Sequence, residues 1–103
     1  IPPNGFRFSI EIKSRQEFNF WDLLADDTEN EIDEWIEQAK DEAEVTSKEP
    51  LIIIKINRRK PFVMFPEKLR EGRLRYKGFT ILRFDYFINL PNNFFWRENN
   101  ETN

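Results

Sequence analysis

Two side chains near the start of the chain, Glu11 and Lys13, are of types that support metal-dependent hydrolysis of a phosphodiester. They lie within residues 6–13, where apolar and polar residues alternate strictly. This period of two predicts a strand, on which side chains two residues apart share a face. The carboxylate suits Mg²⁺ or Mn²⁺, which prefer oxygen ligands, and the backbone carbonyl of Ile12 is a further candidate ligand. Lys13 would orient an attacking water or offset charge on the phosphorane oxygens.

The same two residues also fit a structural interpretation, a surface ion pair on an amphipathic strand. In either case the alternation predicts one buried and one polar face. The residues expected on the buried face are Phe6, Phe8, Ile10 and Ile12.

The composition narrows the chemistry that is open to this chain. Its 103 residues include neither His nor Cys. This excludes a histidine base, a Ser-His-Asp triad, a thiolate nucleophile, a zinc-thiolate site and a disulfide framework. The apolar runs are all much shorter than the roughly 20 residues of a spanning helix, so no membrane partner is expected. Length and composition predict a single globular domain over residues 1–103.

Charge divides the chain into two halves of opposite sign. Residues 1–49 carry five Lys or Arg against fourteen Asp or Glu, whereas residues 50–103 carry eleven against five. The net charge of −3 therefore does not argue against a polyanionic partner, because binding depends on the local field.

The elements that must position Glu11 and Lys13 follow in the order strand, helix, strand, strand, strand. Thr28 begins a capping box ahead of a helix that ends near Glu44, before Pro50. The apolar residues of this helix recur at helical spacing and predict one buried stripe: Ile32, Trp35, Ile36, Ala39 and Ala43. Residues 14–27 are expected to form a packed connection, and residues 67–77 are expected to form a basic loop. Asp85 is expected to cap a short helical turn that runs through Leu90. The remaining strands are expected at 51–56, a central strand covered on both faces, and at 61–65 and 79–84. The tail from Pro91 contains Phe94, Phe95 and Trp96, and the Asn- and Glu-rich end that follows them is expected to fray. This order predicts an α/β fold, a small mixed β-sheet with one main helix.

A basic turn between two predicted strands is the candidate nucleic-acid contact. It contains Arg58, Arg59 and Lys60, with Lys55 just before it. Such side chains contact phosphates and release counterions. The alternative is a solvated hairpin turn.

The three tryptophans, Trp21, Trp35 and Trp96, are interpreted as packing residues rather than base-stacking platforms.

The pattern over nearly the whole chain resembles the PD-(D/E)XK nuclease superfamily, and most of all its phage-encoded, Holliday-junction-resolvase-like branch. Residues 8–18, FSIEIKSRQEF, are similar to its Glu-x-Lys strand, and residues 35–39, WIEQA, to the following helix. Residues 50–59 and 61–64 look like its strand, basic turn and strand, and residues 78–87 resemble its closing strand.

The resemblance implies a partial restriction-endonuclease-like core that hydrolyses duplex or branched DNA with Mg²⁺ or Mn²⁺. Glu11 would be the metal ligand and Lys13 the catalytic lysine, and Gln38 would reach a metal-bound water or a phosphate. An exposed helix glutamine is the alternative for Gln38. The superfamily's metal-binding Asp, which lies on the strand before Glu-x-Lys, has no counterpart upstream of Phe6. The chain is therefore expected to be either a fragment of a longer nuclease domain or a remnant that binds DNA without cutting it. The resemblance also implies a homodimer and, for a phage-encoded protein, the host cytoplasm.

Two rival functions remain open from the sequence. A non-catalytic nucleic-acid-binding module would need the basic half of the chain but not Glu11 or Lys13. A protein-interaction module would use the acidic helix against a basic partner and would have no affinity for DNA at low salt.

Overall fold

A five-stranded sheet with helices on both faces organises the residues that the computed structural model describes, 5–17 and 31–97. The elements are β1 (Phe8–Arg15), α1 (Glu31–Val45), β2 (Glu49–Ile56), β3 (Phe62–Pro66), β4 (Leu74–Tyr76), β5 (Phe79–Arg83), α2 (Phe84–Phe87) and α3 (Asn92–Phe95). Thr28, Trp21 and most of the predicted connection at 14–27 lie outside the described residues.

The sheet is mixed, and its strands lie in the order β1-β2-β3-β5-β4. β1 and β2 are parallel and joined through α1, whereas all other neighbours are antiparallel. The α/β prediction of a small mixed sheet with one main helix is therefore confirmed. The position of β1 at the end of this order leaves one of its edges unpaired among the described strands.

The predicted basic loop at 67–77 is wrong in part, because it contains β4. Leu74 pairs with Ile81 and Tyr76 with Phe79. Lys77 and Gly78 make the connection, both with positive φ, as the favoured two-residue hairpin turns require. A strand this short has too few residues to show a period of two.

Helix α1 packs one apolar stripe on the sheet, as its spacing predicts. Its buried residues are Ile32, Trp35, Ile36, Ala39 and Ala43, and its first turn is acidic, which suits the positive end of the helix dipole. The helix ends one residue beyond the predicted Glu44.

Apolar layers cover both faces of the central strands. On the α1 face, Ile52 and Ile54 of β2 meet the buried stripe of α1. On the opposite face, Val63 and Phe65 of β3 belong to an aromatic cluster with Phe8 and Phe87. The prediction that 51–56 is a central strand covered on both faces is confirmed.

The predicted orientation of β1 is wrong beyond Phe8. Phe8 is buried, but Ile10 and Ile12 are 47% and 60% exposed, and Phe6 is half-buried and pairs with Trp96 in an isolated bridge. The alternating polar face is the one that α1 covers. Alternation in sequence therefore identified the strand but not the face on which the helix packs.

The end of the chain also departs from expectation at two points. α2 begins after Arg83 without a side-chain cap, and Asp85 lies inside it, in an ion pair with Arg83. Asn92–Phe95, for which no element was predicted, form α3, whose Phe94 packs against the aromatic cluster. In the part of the chain that the structure describes, no helix is long and apolar enough to cross a membrane.

Candidate active site

Glu11 and Lys13 lie together on the α1 face of β1, as their spacing predicts. Lys13 Nζ is 3.7 Å from Glu11 Oε2, and their side chains are 18% and 21% exposed. Their strand register places them opposite Ile52 and Ile54, which are buried beneath α1. The ion pair therefore occupies the groove between the edge strand and the helix.

Gln38 of α1 reaches the same groove. Lys13 Nζ donates a hydrogen bond of 2.9 Å to Gln38 Oε1. Gln38 precedes buried Ala39, so the packing of α1 sets the side of the helix from which the Gln38 side chain extends. The glutamine expected at the site is thus brought to Lys13.

Glu42 is a member of this group that the sequence did not single out. Its carboxyl group lies within hydrogen-bonding reach of Glu11, which raises the pKa of Glu42 through that bond and through charge repulsion. Glu42 is one helical turn beyond Gln38 and so lies on the same side of α1. The i, i+4 spacing of Gln38 and Glu42 could have indicated that Glu42 belongs to the site. The many other acidic residues of α1 obscure that indication in the sequence.

The carbonyl of Ile12 points toward the unpaired edge of β1. The carbonyls of Arg7 and Arg15 accept hydrogen bonds from Glu49 and Asn57, at the two ends of β2. Because carbonyl direction alternates along a strand, those of Glu11 and Lys13 also face β2 and that of Ile12 faces away.

The oxygen atoms of this group fit a hard divalent cation. Glu11 and Glu42 supply carboxylates, and Ile12 supplies a carbonyl. Mg²⁺ is commonly held by one or two carboxylates, with substrate phosphates and water as its other ligands. The residues that the structure describes contain no cluster of three or more His, Cys, Asp or Glu side chains suited to a metal. These oxygen atoms would therefore fill only part of the coordination shell of a cation, and substrate oxygens would have to complete it.

Arg15 fastens the end of β1 to the start of α1. Its Nε donates to Glu31 Oε2 at 3.0 Å, and its guanidinium lies 4.9 Å from the centroid of the Trp35 ring. The hydrogen bond from Arg15 lowers the pKa of Glu31. These contacts hold in place the strand and the helix that carry the site.

The four basic residues predicted to contact DNA lie at one end of the sheet. Arg58, Arg59 and Lys60 are exposed in the turn between β2 and β3, and Arg58 has a positive φ of 66°. Lys55 is also exposed, but it lies on the face of β2 opposite Ile54 and therefore opposite Glu11 and Lys13. The turn borders a cavity of about 510 Å³ that also contacts Ser14, Arg15 and Lys55. The end of β1 thus leads from Lys13 toward the basic turn.

Comparison with known proteins gives a family match. No curated protein and no solved structure matches this chain. The model of a family described as "Phage putative PDDEXK endonuclease" matches residues 1–92, a range that includes Glu11, Lys13, Gln38, Glu42 and the basic turn. The chain therefore belongs to this phage PDDEXK endonuclease family.

Proposed function

We propose that this protein is a divalent-metal-dependent endonuclease that hydrolyses phosphodiester bonds in DNA. The observation that carries the proposal is the convergence of Glu11, Lys13 and Gln38 in one groove, with Lys13 within 3.7 Å of the carboxylate and 2.9 Å of the amide. Family membership supports nuclease chemistry for this constellation.

Glu11 would hold the metal, with the carbonyl of Ile12 and the carboxylate of Glu42 as further ligands. Mg²⁺ or Mn²⁺ bound there would polarise the scissile phosphate and activate water. The Glu11 carboxyl group raises the pKa of Glu42, so the two carboxyl groups are close enough to interact.

Lys13 would act on the reacting atoms directly. Its ammonium donates hydrogen bonds and carries positive charge, so it can orient a water and stabilise negative charge on phosphate oxygens. Gln38 would act through Lys13, because its carbonyl oxygen accepts one of the three ammonium protons. The other two protons stay available for substrate or water.

The basic turn would hold the DNA backbone. Arg58, Arg59 and Lys60 are exposed, and contacts from loop residues to phosphates position a duplex without reading its sequence. We extend the proposal to branched DNA such as a four-way junction, and to a homodimer acting in the host cytoplasm. Native-mass measurement with and without junction DNA tests the dimer.

The proposal is tested by incubating the protein with labelled four-way-junction and linear duplex DNA in Mg²⁺, Mn²⁺ or EDTA. The variants are Glu11→Gln, which removes the proposed metal ligand, and Glu37→Gln, which makes the same charge change on exposed α1 surface. We expect cleavage in either metal, none in EDTA, and at least a hundredfold slower cleavage for Glu11→Gln with Glu37→Gln unchanged.

Cleavage that persists in EDTA, or that Glu11→Gln leaves intact, would contradict the proposal. Retention of DNA without cleavage under any of these conditions would instead indicate a binding module. Absence of both binding and cleavage would leave the protein-interaction function as the better account.

A further inference from the structure

A second concave surface lies on the α1 face of the sheet, at the other side from β1. It is a cavity of about 530 Å³ beside the start of β3 and the end of β5, within the range of small-molecule pockets. The residues that line it include Arg59, Lys60, Arg73, Leu74, Arg83 and Tyr86. We call this surface the β4–β5 basin.

The basin combines an apolar surface with a positively charged rim. Leu74 is 51% exposed and Tyr86 64% exposed, so two large side chains that line this concavity are open to solvent. The guanidinium of Arg83 lies 5.1 Å from the centroid of the Tyr86 ring. Its charge is offset by Asp85, so it extends the flat surface that Tyr86 presents.

In the described part of the chain the remaining cations of the rim are not held in close ion pairs, although Lys60 and Asp85 attract each other at longer range. Within the described ranges, Arg59, Lys60 and Arg73 form no salt bridge, although other arginines of the same region do, such as Arg75 with Glu67. An apolar, aromatic surface bordered by such cations is complementary to a base with its flanking phosphates.

The basin lies within reach of the candidate active site. β5 and β4 are three and four strands from β1, which at 4.8 Å per strand is about 14–19 Å. The spacing corresponds to about four to six base steps of B-form DNA. Arg59 borders both the basin and a second cavity with Gln16 and Glu17, just past the end of β1. A DNA strand can therefore follow cations from one surface to the other.

We infer that the β4–β5 basin binds an unpaired nucleotide of the DNA substrate, with its base on Tyr86 and Leu74 and its phosphates on Arg59 and Arg73. The inference rests on the proposed function in that DNA is the substrate. It specifies the substrate class as DNA that carries a single-stranded segment a few nucleotides from the scissile bond. A fully paired blunt duplex offers no base to the basin.

The test is equilibrium binding without cleavage, measured by fluorescence anisotropy in EDTA. The probes are a labelled blunt duplex and the same duplex with a six-nucleotide overhang. The variants are Tyr86→Ala, Tyr86→Phe, Leu74→Glu, and Ile88→Ala as a control. Ile88 is an exposed apolar residue just past α2 and does not line the basin. All three positions are exposed, so we expect every variant to fold, and circular dichroism verifies the folding of each.

We expect the overhang to bind about tenfold more tightly than the blunt duplex, the effect of stacking about one base. Tyr86→Ala and Leu74→Glu should remove most of that preference. Tyr86→Ala should leave blunt-duplex affinity within twofold. Leu74→Glu should do the same once the effect of its added negative charge on both probes is subtracted. Tyr86→Phe and Ile88→Ala should retain the preference.

Equal affinity for the two probes in the unmodified protein would overturn the inference, as would equal loss on both probes for Tyr86→Ala. No affinity for either probe would overturn both this inference and the proposed function. An overhang preference in a protein that cleaves nothing would support the basin while contradicting the proposed function alone.

Discussion

At the scale of single residues, the central feature is a lysine held between an acid and an amide. Glu11 and Gln38 contact Lys13 from two elements that are far apart in sequence. The strand spacing predicted the Glu11–Lys13 pair, because side-chain direction on a strand has a period of two. The contact of Gln38 depends on the rotation of α1 about its axis, which the sequence specifies only through the buried stripe.

Gln38→Ala tests whether this amide positions Lys13. Loss of the acceptor should let the ammonium move, and displacement of a catalytic group by about 1 Å can cost about a hundredfold in rate. We expect kcat for DNA cleavage to fall tenfold to a hundredfold with little change in KM. Gln38→Glu, which retains an acceptor oxygen, should recover much of the rate. An equal fall in both variants, or a fall matched by a lower Tm, would contradict a positioning role.

The Glu11–Glu42 pair makes a prediction about titration. Glu11 raises the pKa of Glu42, so a carboxyl-carbon NMR titration should show Glu42 protonating above the ordinary glutamate range. Glu11→Gln removes the repelling charge and should return the pKa of Glu42 toward its ordinary value. If the titration of Glu42 is ordinary in the unmodified protein, the two carboxyls are not adjacent in solution.

Glu42 and Glu31 make the stability of the fold depend on pH in opposite directions. A raised pKa means that Glu42 favours the folded state when protonated, and this contribution is lost as pH rises through its folded pKa. Glu31 has a lowered pKa, so its contribution is present above the ordinary glutamate pKa and is lost as pH falls through the folded value. Both groups are exposed, so solvent screening keeps both effects small.

At the scale of elements, the hairpin of β4 and β5 depends on a close approach between Gly72 and Thr80. A Cβ at Gly72 would meet Thr80 Cγ2 at 2.7 Å. Thr80 is fully buried, and its Oγ1 donates to the carbonyl of Arg70 at 2.6 Å. The segment before β4 is therefore fastened to β5 both by a hydrogen bond and by a contact that excludes side chains.

Gly72→Ala should destabilise the protein by about 1–3 kcal/mol, the usual cost of overpacking a buried site. Thr80→Ser removes Cγ2 and keeps the hydroxyl. The Gly72→Ala, Thr80→Ser double variant should therefore lose less stability than the sum of the two single variants in urea unfolding. Additive losses would show that Cγ2 is not the atom in conflict.

Arg58, in the basic turn, has an unfavourable backbone conformation and is also a proposed DNA contact. Its φ of 66° is unfavourable for any residue with a Cβ, by about 1–2 kcal/mol. Arg58→Gly and Arg58→Ala remove the same charge, but only glycine relieves the strain. We expect the glycine variant to be more stable than the alanine variant by up to about 1 kcal/mol. The gain is smaller than the strain that glycine relieves, because glycine loses more chain entropy on folding.

DNA affinity should fall similarly in the two variants, and the salt dependence of binding should decrease by about one ion in each. Unfolding curves and anisotropy titrations at several salt concentrations measure the two quantities. An unchanged salt dependence would remove Arg58 from the DNA interface while leaving the argument about strain intact.

Element prediction from sequence succeeded where the patterns are long. α1 and β2 were predicted with nearly their observed bounds, because each has a period or an apolar run over many residues. β4 and α3 were missed because each has only three or four residues. The face of β1 was predicted wrongly, because strict alternation gives two candidate faces and Ile10 and Ile12 lie on the one that α1 does not cover.

At the scale of the whole molecule, two apolar layers support a site that is built at one edge of the sheet. Phe8, Phe65, Phe87 and Phe94 have ring centroids 5.4–6.4 Å apart on the face opposite α1. Such aromatic contacts add to the stability gained from area burial. β2 and β3 are thus fixed from both sides, and β1 takes its position from β2.

Charge is also segregated at this scale. The sequence predicted an acidic first half and a basic second half, and the fold places exposed cations of the second half in the turn and around the β4–β5 basin. DNA is expected to approach that end of the sheet and to avoid the acidic outer surface of α1. The basin itself was not predicted, because it forms from Leu74, Arg83 and Tyr86, which only the β4–β5 pairing and α2 bring together.

The decisive measurement for the active site is the single-turnover rate of DNA cleavage in Mg²⁺ for the unmodified protein, Lys13→Ala and Lys40→Ala. Lys40 is an exposed lysine on α1, so its removal makes the same charge change outside the groove. We predict that Lys13→Ala lowers the rate at least a hundredfold while DNA affinity stays within threefold, and that Lys40→Ala cleaves normally. Cleavage by Lys13→Ala at the rate of the unmodified protein would contradict the assignment of this groove as the active site.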